Sequence, residues 1–235
     1  MPSQRKAKTP PKFMLSALDA REKLDYGALI QELGGEYIEV EYYTNACTHL
    51  IIGKASRTEK FLGACAAGKW VLHKSYMEAC RAERRFIEEE GYEWGVNTKE
   101  SGLQPLDSAP RRWRVALDSA ENGSSFTHHS SVLLYCERSK TAGLRRLLEA
   151  GGATVFTNTA KLSEGELRQV SHAFVSNAFI GNSHWPKDSL SLEELVQSGV
   201  ACLKPEYIAE YLSKGDEVPL ELYFVKEAKQ LEKRS

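Results

Sequence analysis

Short apolar runs rich in β-branched residues alternate along the chain with longer stretches of helical periodicity. Residues 50–52, closed by Gly53, predict a buried strand. Residues 57–67 carry Phe61, Leu62, Cys65 and Ala66 at helical spacing, and Gly68 ends them. Residues 70–72 predict another strand. Residues 74–80 predict a helix with Tyr76, Met77 and Cys80 on one side. Upstream, residues 12–18 supply a strand interrupted by Ser16. A helix follows from Asp19 or the next residue, with Leu24, Leu29, Ile30 and Leu33 as its apolar stripe. Gly34-Gly35 stops it, residues 37–40 predict the second strand, and residues 42–47 read as loop.

Residues 83–130 break this rhythm. Glu88, Glu89 and Glu90 form a charged, solvated run, with Tyr92 and Trp94 as packing anchors behind it. Residues 97–110 hold Gly102, Pro105 and Pro110 and read as loop. Residues 111–117, RRWRVAL, predict one or two helical turns with Trp113 docked. Residues 121–131 are rich in Gly, Ser and His and should be flexible.

The first pattern then returns. Residues 132–135 are an apolar strand, and residues 141–150 form a helix with Leu144, Leu147 and Leu148 on one face, closed by Gly151-Gly152. Residues 153–156 are the next strand, and Ser171-His172 lines up with Thr48-His49. The segment GVACLKPEY lies 131 positions after GKWVLHKSY. Residues 190–197 and 205–214 predict helices, with a longer loop at 181–188 before them. Residues 220–225 pack back or pair weakly, and the charged tail frays. The expectation is an α/β chain of two units, each a four-stranded parallel sheet with two helices on one face and one on the other. Their bounds are 12–95 and 131–226, joined by a linker at 96–130 with a short helix.

Composition narrows the chemistry. An apolar content of 42% supports real cores, and a net charge of −1 rules out a global positive field. The opening 11 residues are basic and proline-terminated, a lead-in to the fold. No apolar run approaches the roughly 18 residues of a membrane span. Cys47, Cys65, Cys80, Cys136 and Cys202 are odd in number and lack CxxC spacing, so they read as free, mostly buried thiols, not metal ligands. His128-His129 is adjacent, the wrong spacing for a metal pair on a helix. No nucleophile–base constellation occurs. The one near miss to a nucleotide loop, GACAAGKW, has Trp70 where the metal-holding hydroxyl belongs. His49 and His172 occupy matching positions and read as structural hydrogen-bonding residues. Lys54, Arg57 and Lys60 cluster near a helix start, which is either an anion seat or a solvated basic face.

The signature of Gly34-Gly35, Thr48-His49-Leu50, Gly68-Lys69-Trp70 and Ser75-Tyr76, echoed by Gly151-Gly152, Ser171-His172 and Tyr207, resembles a tandem pair of BRCT domains. The echo is incomplete, since Ala201 aligns with Trp70. The segment EKFLGACAAGKWVLHKSYMEACR resembles the C-terminal pairs of topoisomerase II-binding checkpoint scaffolds. The resemblance implies a nuclear, non-enzymatic scaffold of the DNA damage response that binds phosphorylated Ser/Thr motifs without cofactor, as a monomer or weak dimer. The partner it implies is a phosphorylated protein such as a Fanconi-associated DNA helicase, with checkpoint kinase pathway partners beside it. Phosphate would be held by the Ser16 hydroxyl, the Ala17 N–H and Lys60, with Lys23 where a relative uses Arg and so unable to form the bidentate fork. Arg57, Lys140 and Arg138 would line the peptide groove, Lys140 just before the first helix of the second unit. Taken singly, Ser16 reads as a turn serine and Lys60 as a surface lysine. The alternative function is direct DNA binding through Lys54, Arg57, Lys60 and residues 111–114.

Overall fold

A computed structural model describes residues 9–96, 105–119, 123–126, 130–157, 162–180, 185 and 189–232. Most of the basic lead-in, the His128-His129 pair, and all of the 181–188 loop but Trp185 lie outside these. The first unit runs β1 (Lys12–Ser16), α1 (Ala20–Glu32), β2 (Glu36–Tyr37), β3 (His49–Ile52), α2 (Glu59–Ala66), β4 (Trp70–His73) and α3 (Ser75–Glu83). Then come α4 (Pro105–Ser119), β5 (Ser131–Tyr135), α5 (Arg138–Ala150), β6 (Thr154–Thr157) and α6 (Glu164–Gln169). The chain continues through β7 (His172–Val175), α7 (Leu192–Gln197), β8 (Ala201–Leu203), α8 (Glu206–Lys214) and α9 (Lys226–Glu232). Both sheets are parallel, in the orders β2-β1-β3-β4 and β6-β5-β7-β8.

Strand periodicity sorts the side chains into two layers. Phe13, Leu15, Ile51 and Leu72 face α1 and α3, where Tyr26, Leu29, Ile30, Tyr76 and Met77 close one core. Met14, Leu50, Ile52 and Val71 face α2. In the second unit, Leu133, Tyr135, Ala173 and Val175 pack with Leu195 of α7 and Ala228 of α9. Val132, Leu134 and Phe174 face α5 and α8 instead. The α2 side of the first unit and the α5/α8 side of the second share one continuous core, with α4 packed along it through Ala109 and Trp113. The first unit therefore carries two helices on one sheet face and one on the other as expected, whereas in the second α9 joins α7 on the face opposite α5 and α8, and the units meet with opposite faces.

Polar groups pin the same junction. The Trp113 indole N–H donates to the Leu212 carbonyl at 2.7 Å and Arg112 Nη2 to the Ser213 carbonyl at 2.9 Å. These carbonyls belong to the last turn of α8, so the linker helix satisfies acceptors that a helix end leaves open. Arg114 grips the Glu93 carboxylate with two hydrogen bonds, at 2.7 and 2.8 Å, and its guanidinium lies 3.7 Å from the centre of the Trp70 ring. The Glu93 side chain is fully buried. The segment after each unit also returns to its sheet, by the Leu72–Glu93 and Leu203–Phe224 antiparallel bridges.

Several expectations change. Leu24 does not join the α1 stripe and is 77% exposed. Thr58 caps α2 through a hydrogen bond to the Phe61 N–H, so the helix starts two residues late and Arg57 lies outside it. The α5 helix starts three residues early, which puts Arg138 and Lys140 inside its first turn. Residues 105–110 are helical despite two prolines, because docking of the Ala109 and Trp113 face outweighs the hydrogen bond that Pro110 cannot donate. Glu89 is not simply solvated but meets His49 Nε2 at 3.2 Å. Helix α6, started by the Ser163–Glu166 capping box, was not expected. The tail does not fray at once, since α9 buries Ala228. All five cysteines are free and buried.

Arg114→Met strands a buried carboxylate and is expected to cost about 3–5 kcal/mol in urea unfolding. Arg111→Met removes only a half-exposed partner 3.7 Å from Glu93, and its expected cost is under about 0.5 kcal/mol. Equal losses would show that Glu93 does not depend on the two-pronged contact.

Candidate functional site

The C-terminal end of β1 and the start of α2 meet at one edge of the first sheet. Ser16 is the last residue of β1, in register with Ile52 at the end of β3. The chain then turns through Ala17, whose φ of 50° lies in the left-handed region. Asp19 caps α1 in a reciprocal capping box with Glu22. The turn leaves Ala17 exposed and Ser16 half-buried. Among the described residues, neither the Ser16 hydroxyl nor the Ala17 N–H has a hydrogen-bond partner.

Lys60 is the second residue of α2 and is half-buried. Its ammonium donates to the Leu15 carbonyl at 3.3 Å, which places the charge beside the strand end. Burial pushes the Lys60 pKa down, and the nearby positive charge of Lys23 adds to that shift. An anion would relieve both effects. Gly53 sets the shape of the turn. A Cβ there would stand 2.6 Å from the Ala17 carbonyl oxygen. Sequence reading treated Gly53 only as a strand terminator, and its contact with the β1–α1 turn has no local signal.

The structure thus brings Ser16, Ala17, Lys60 and Lys23 together. The three groove candidates lie elsewhere. Arg57 forms an ion pair with Glu210 of α8, across the junction. Lys140 lies 3.4 Å from Glu137, and Arg138 is an exposed residue at the start of α5.

Residues 10–81 match the BRCA1 C Terminus (BRCT) domain family. The SMC5-SMC6 complex localization factor protein 1 of Bos taurus is 38% identical over 170 residues, 72% of this chain and 16% of that protein. The Homo sapiens protein of that name is 36% identical over the same length and shares. The chain therefore spans about a sixth of these relatives. Among solved structures, the BRCT5-BRCT6 domains of S. pombe Brc1 superpose with a TM-score of 0.60 at 16% identity, covering 93% of this chain and 99% of that one. Rtt107p in complex with a phosphorylated histone gives 0.55 at 13% identity, covering 93% and 95%. The fold is that of two repeated BRCT-like units, and the first of them matches the family model.

These likenesses support a tandem BRCT module and not specifically the topoisomerase II-binding class that the sequence suggested. The second BRCT unit does not repeat the site. Tyr135 holds the register position of Ser16, as the last residue of β5 opposite Val175. Its ring is buried, stacks on Trp185 at 4.8 Å, and its hydroxyl donates to the Leu190 carbonyl. Glu193 is the second residue of α7, where α2 has Lys60. Bulk and negative charge thus replace hydroxyl and ammonium.

In the basic RRWR stretch two of the three arginines are engaged within the fold, and Arg111 is half-exposed. Arg112 and Arg114 are held by α8 carbonyls and by Glu93.

Gly53→Ala is expected to push the Ala17 carbonyl away and cost about 1–3 kcal/mol. The amide resonances of Ser16, Ala17 and Leu18 should shift most. Shifts confined to residues beyond the turn would show that Gly53 does not shape it.

Proposed function

We propose that this BRCT pair is a phosphopeptide-reading scaffold module that holds a phosphorylated Ser or Thr at the β1–α2 edge of its first unit. The observation that carries the reading is the convergence on one turn of a hydroxyl and an N–H, both unpartnered among the described residues, and a half-buried ammonium. A phosphate offers strong acceptor oxygens and nearly two negative charges, which suits that donor set. Lys23 adds charge as a point cation. Arg57, which pairs with Glu210 across the junction, and Lys140 and Arg138 at the exposed start of α5 are the residues proposed to meet the rest of the peptide. Rtt107p, similar in fold, has been solved with a phosphorylated histone.

The setting that fits is the DNA damage response and the replication checkpoint in the nucleus. The similarity to the SMC5-SMC6 complex localization factor supports a scaffold in genome maintenance. A Fanconi-associated DNA helicase and checkpoint kinase pathway proteins are candidate phosphorylated partners within that class, and a phosphopeptide array separates them from others.

Ser16→Ala and Lys60→Glu should each weaken a phosphorylated peptide by about 10- to 100-fold, the scale of a lost charge-assisted hydrogen bond. Binding of the unphosphorylated peptide and the urea midpoint should barely change. Wild-type protein that binds both peptides equally would overturn the assignment.

A pH titration gives a separate check. The second phosphate pKa is near 6, so affinity should be flat above about pH 7 and fall below about pH 6 as the dianion takes up a proton. Burial lowers the Lys60 pKa, so it bears only on the alkaline side; affinity that stays level or rises below about pH 6 would contradict the reading.

A further inference from the structure

Glu59 opens α2 immediately before Lys60. Its carboxylate favours the helix start, yet next to a phosphate seat it is a charge of the wrong sign. The fold deals with this from the second unit. Arg146 of α5 donates Nε to Glu59 Oε1 at 2.7 Å and Nη2 to Oε2 at 2.8 Å. The Tyr43 N–H donates to the same carboxylate at 3.0 Å. The Arg146 guanidinium also lies 4.3 Å from the centre of the Tyr42 ring. One turn earlier on α5, a Cβ at Gly143 would come within 3.1 Å of Glu59 Oε2. Both side chains are mostly covered, at 32% and 21% exposed. Arg57 cannot take over this duty, because Glu210 holds it.

We propose that Arg146 is a positioning residue for the first-unit site: by clamping Glu59 it cancels the carboxylate beside Lys60, so the second unit completes an anion site that it does not touch. The proposal rests on the phosphopeptide reading above. It makes phosphate affinity dependent on how the two units dock, since the clamp exists only when α5 lies against α2. Glu39 and Glu41 also act on the Lys60 ammonium, each more strongly than Glu59, and Lys23 opposes them; among these acids Glu59 is the one shown clamped by a residue of the second unit.

The test uses the whole pair and one peptide in phosphorylated and plain forms. Arg146→Gln should weaken the phosphorylated peptide roughly tenfold, the order expected when one unit charge faces a dianion across a partly screened gap. The plain peptide should not change. Adding Glu59→Gln to Arg146→Gln should restore most of the affinity, although the clamp is still missing. Arg146→Lys should lose only about two- to threefold, because the charge remains. A double variant as weak as Arg146→Gln alone would overturn the proposal and assign Arg146 to docking only. So would Arg146→Gln with wild-type affinity. If wild-type protein fails to discriminate the two peptides, the phosphate reading falls first and this proposal with it, an outcome seen before any variant is compared.

Discussion

Helix α2 has no solvent side along most of its length. Its residues Phe61–Ala66 are six buried positions in succession. A helix apolar all round must be enclosed, and this one lies between the first sheet and the α5, α8 and α4 helices. The enclosure fixes its axis and the position of its first turn. Lys60 is presented from that turn, and the Leu15 carbonyl holds its ammonium beside the strand end. A flexible lysine stem loses much rotamer freedom on binding. Partial burial of the stem removes part of that freedom before any ligand arrives.

The ionic contacts at the junction act on orientation as much as on stability. Exposed pairs contribute little, so Arg57–Glu210 adds modestly to docking energy, while Lys214–Glu210 lies within α8 and does not cross the junction. Two neighbouring cations still hold the Glu210 carboxyl below the usual range, with the Arg57 contact the larger cause. Glu93 is different. It is wholly buried, and Arg114 meets it with matched planar geometry while stacking on Trp70. That contact ties the linker helix to the first unit, as Trp113 and Arg112 tie it to α8. The linker is therefore a third wall of the shared core, not a tether.

The two units show how one topology carries different edges. Register places Ser16 and Tyr135 at matching strand ends. A small hydroxyl leaves a turn open, whereas a buried aromatic ring closes it by stacking on Trp185. Lys60 and Glu193 occupy the same step of their helices with opposite charge. The fold keeps the sheet and lets the second unit serve as the wall against which the first is completed.

The sequence alone determined the repeat, the order of strands and helices along the chain, and most of the core stripes, because apolar periodicity and glycine stops are local signals; the order of strands across the sheet came from the structure. It also singled out Ser16, Ala17, Lys60 and Lys23, through resemblance and not through spacing. It misjudged Leu24, the helix start at Thr58, the helical state of residues 105–110 and the docked tail. In the last three, packing against a distant element or a capping hydroxyl outweighed local propensity. Only the tertiary structure decided that Arg57 meets Glu210, that Gly53 must yield to the Ala17 carbonyl, and that Arg146 meets Glu59. Those contacts join residues 36 to 153 positions apart, and local pattern carries no record of such pairings because chain proximity and spatial proximity part company once two units dock.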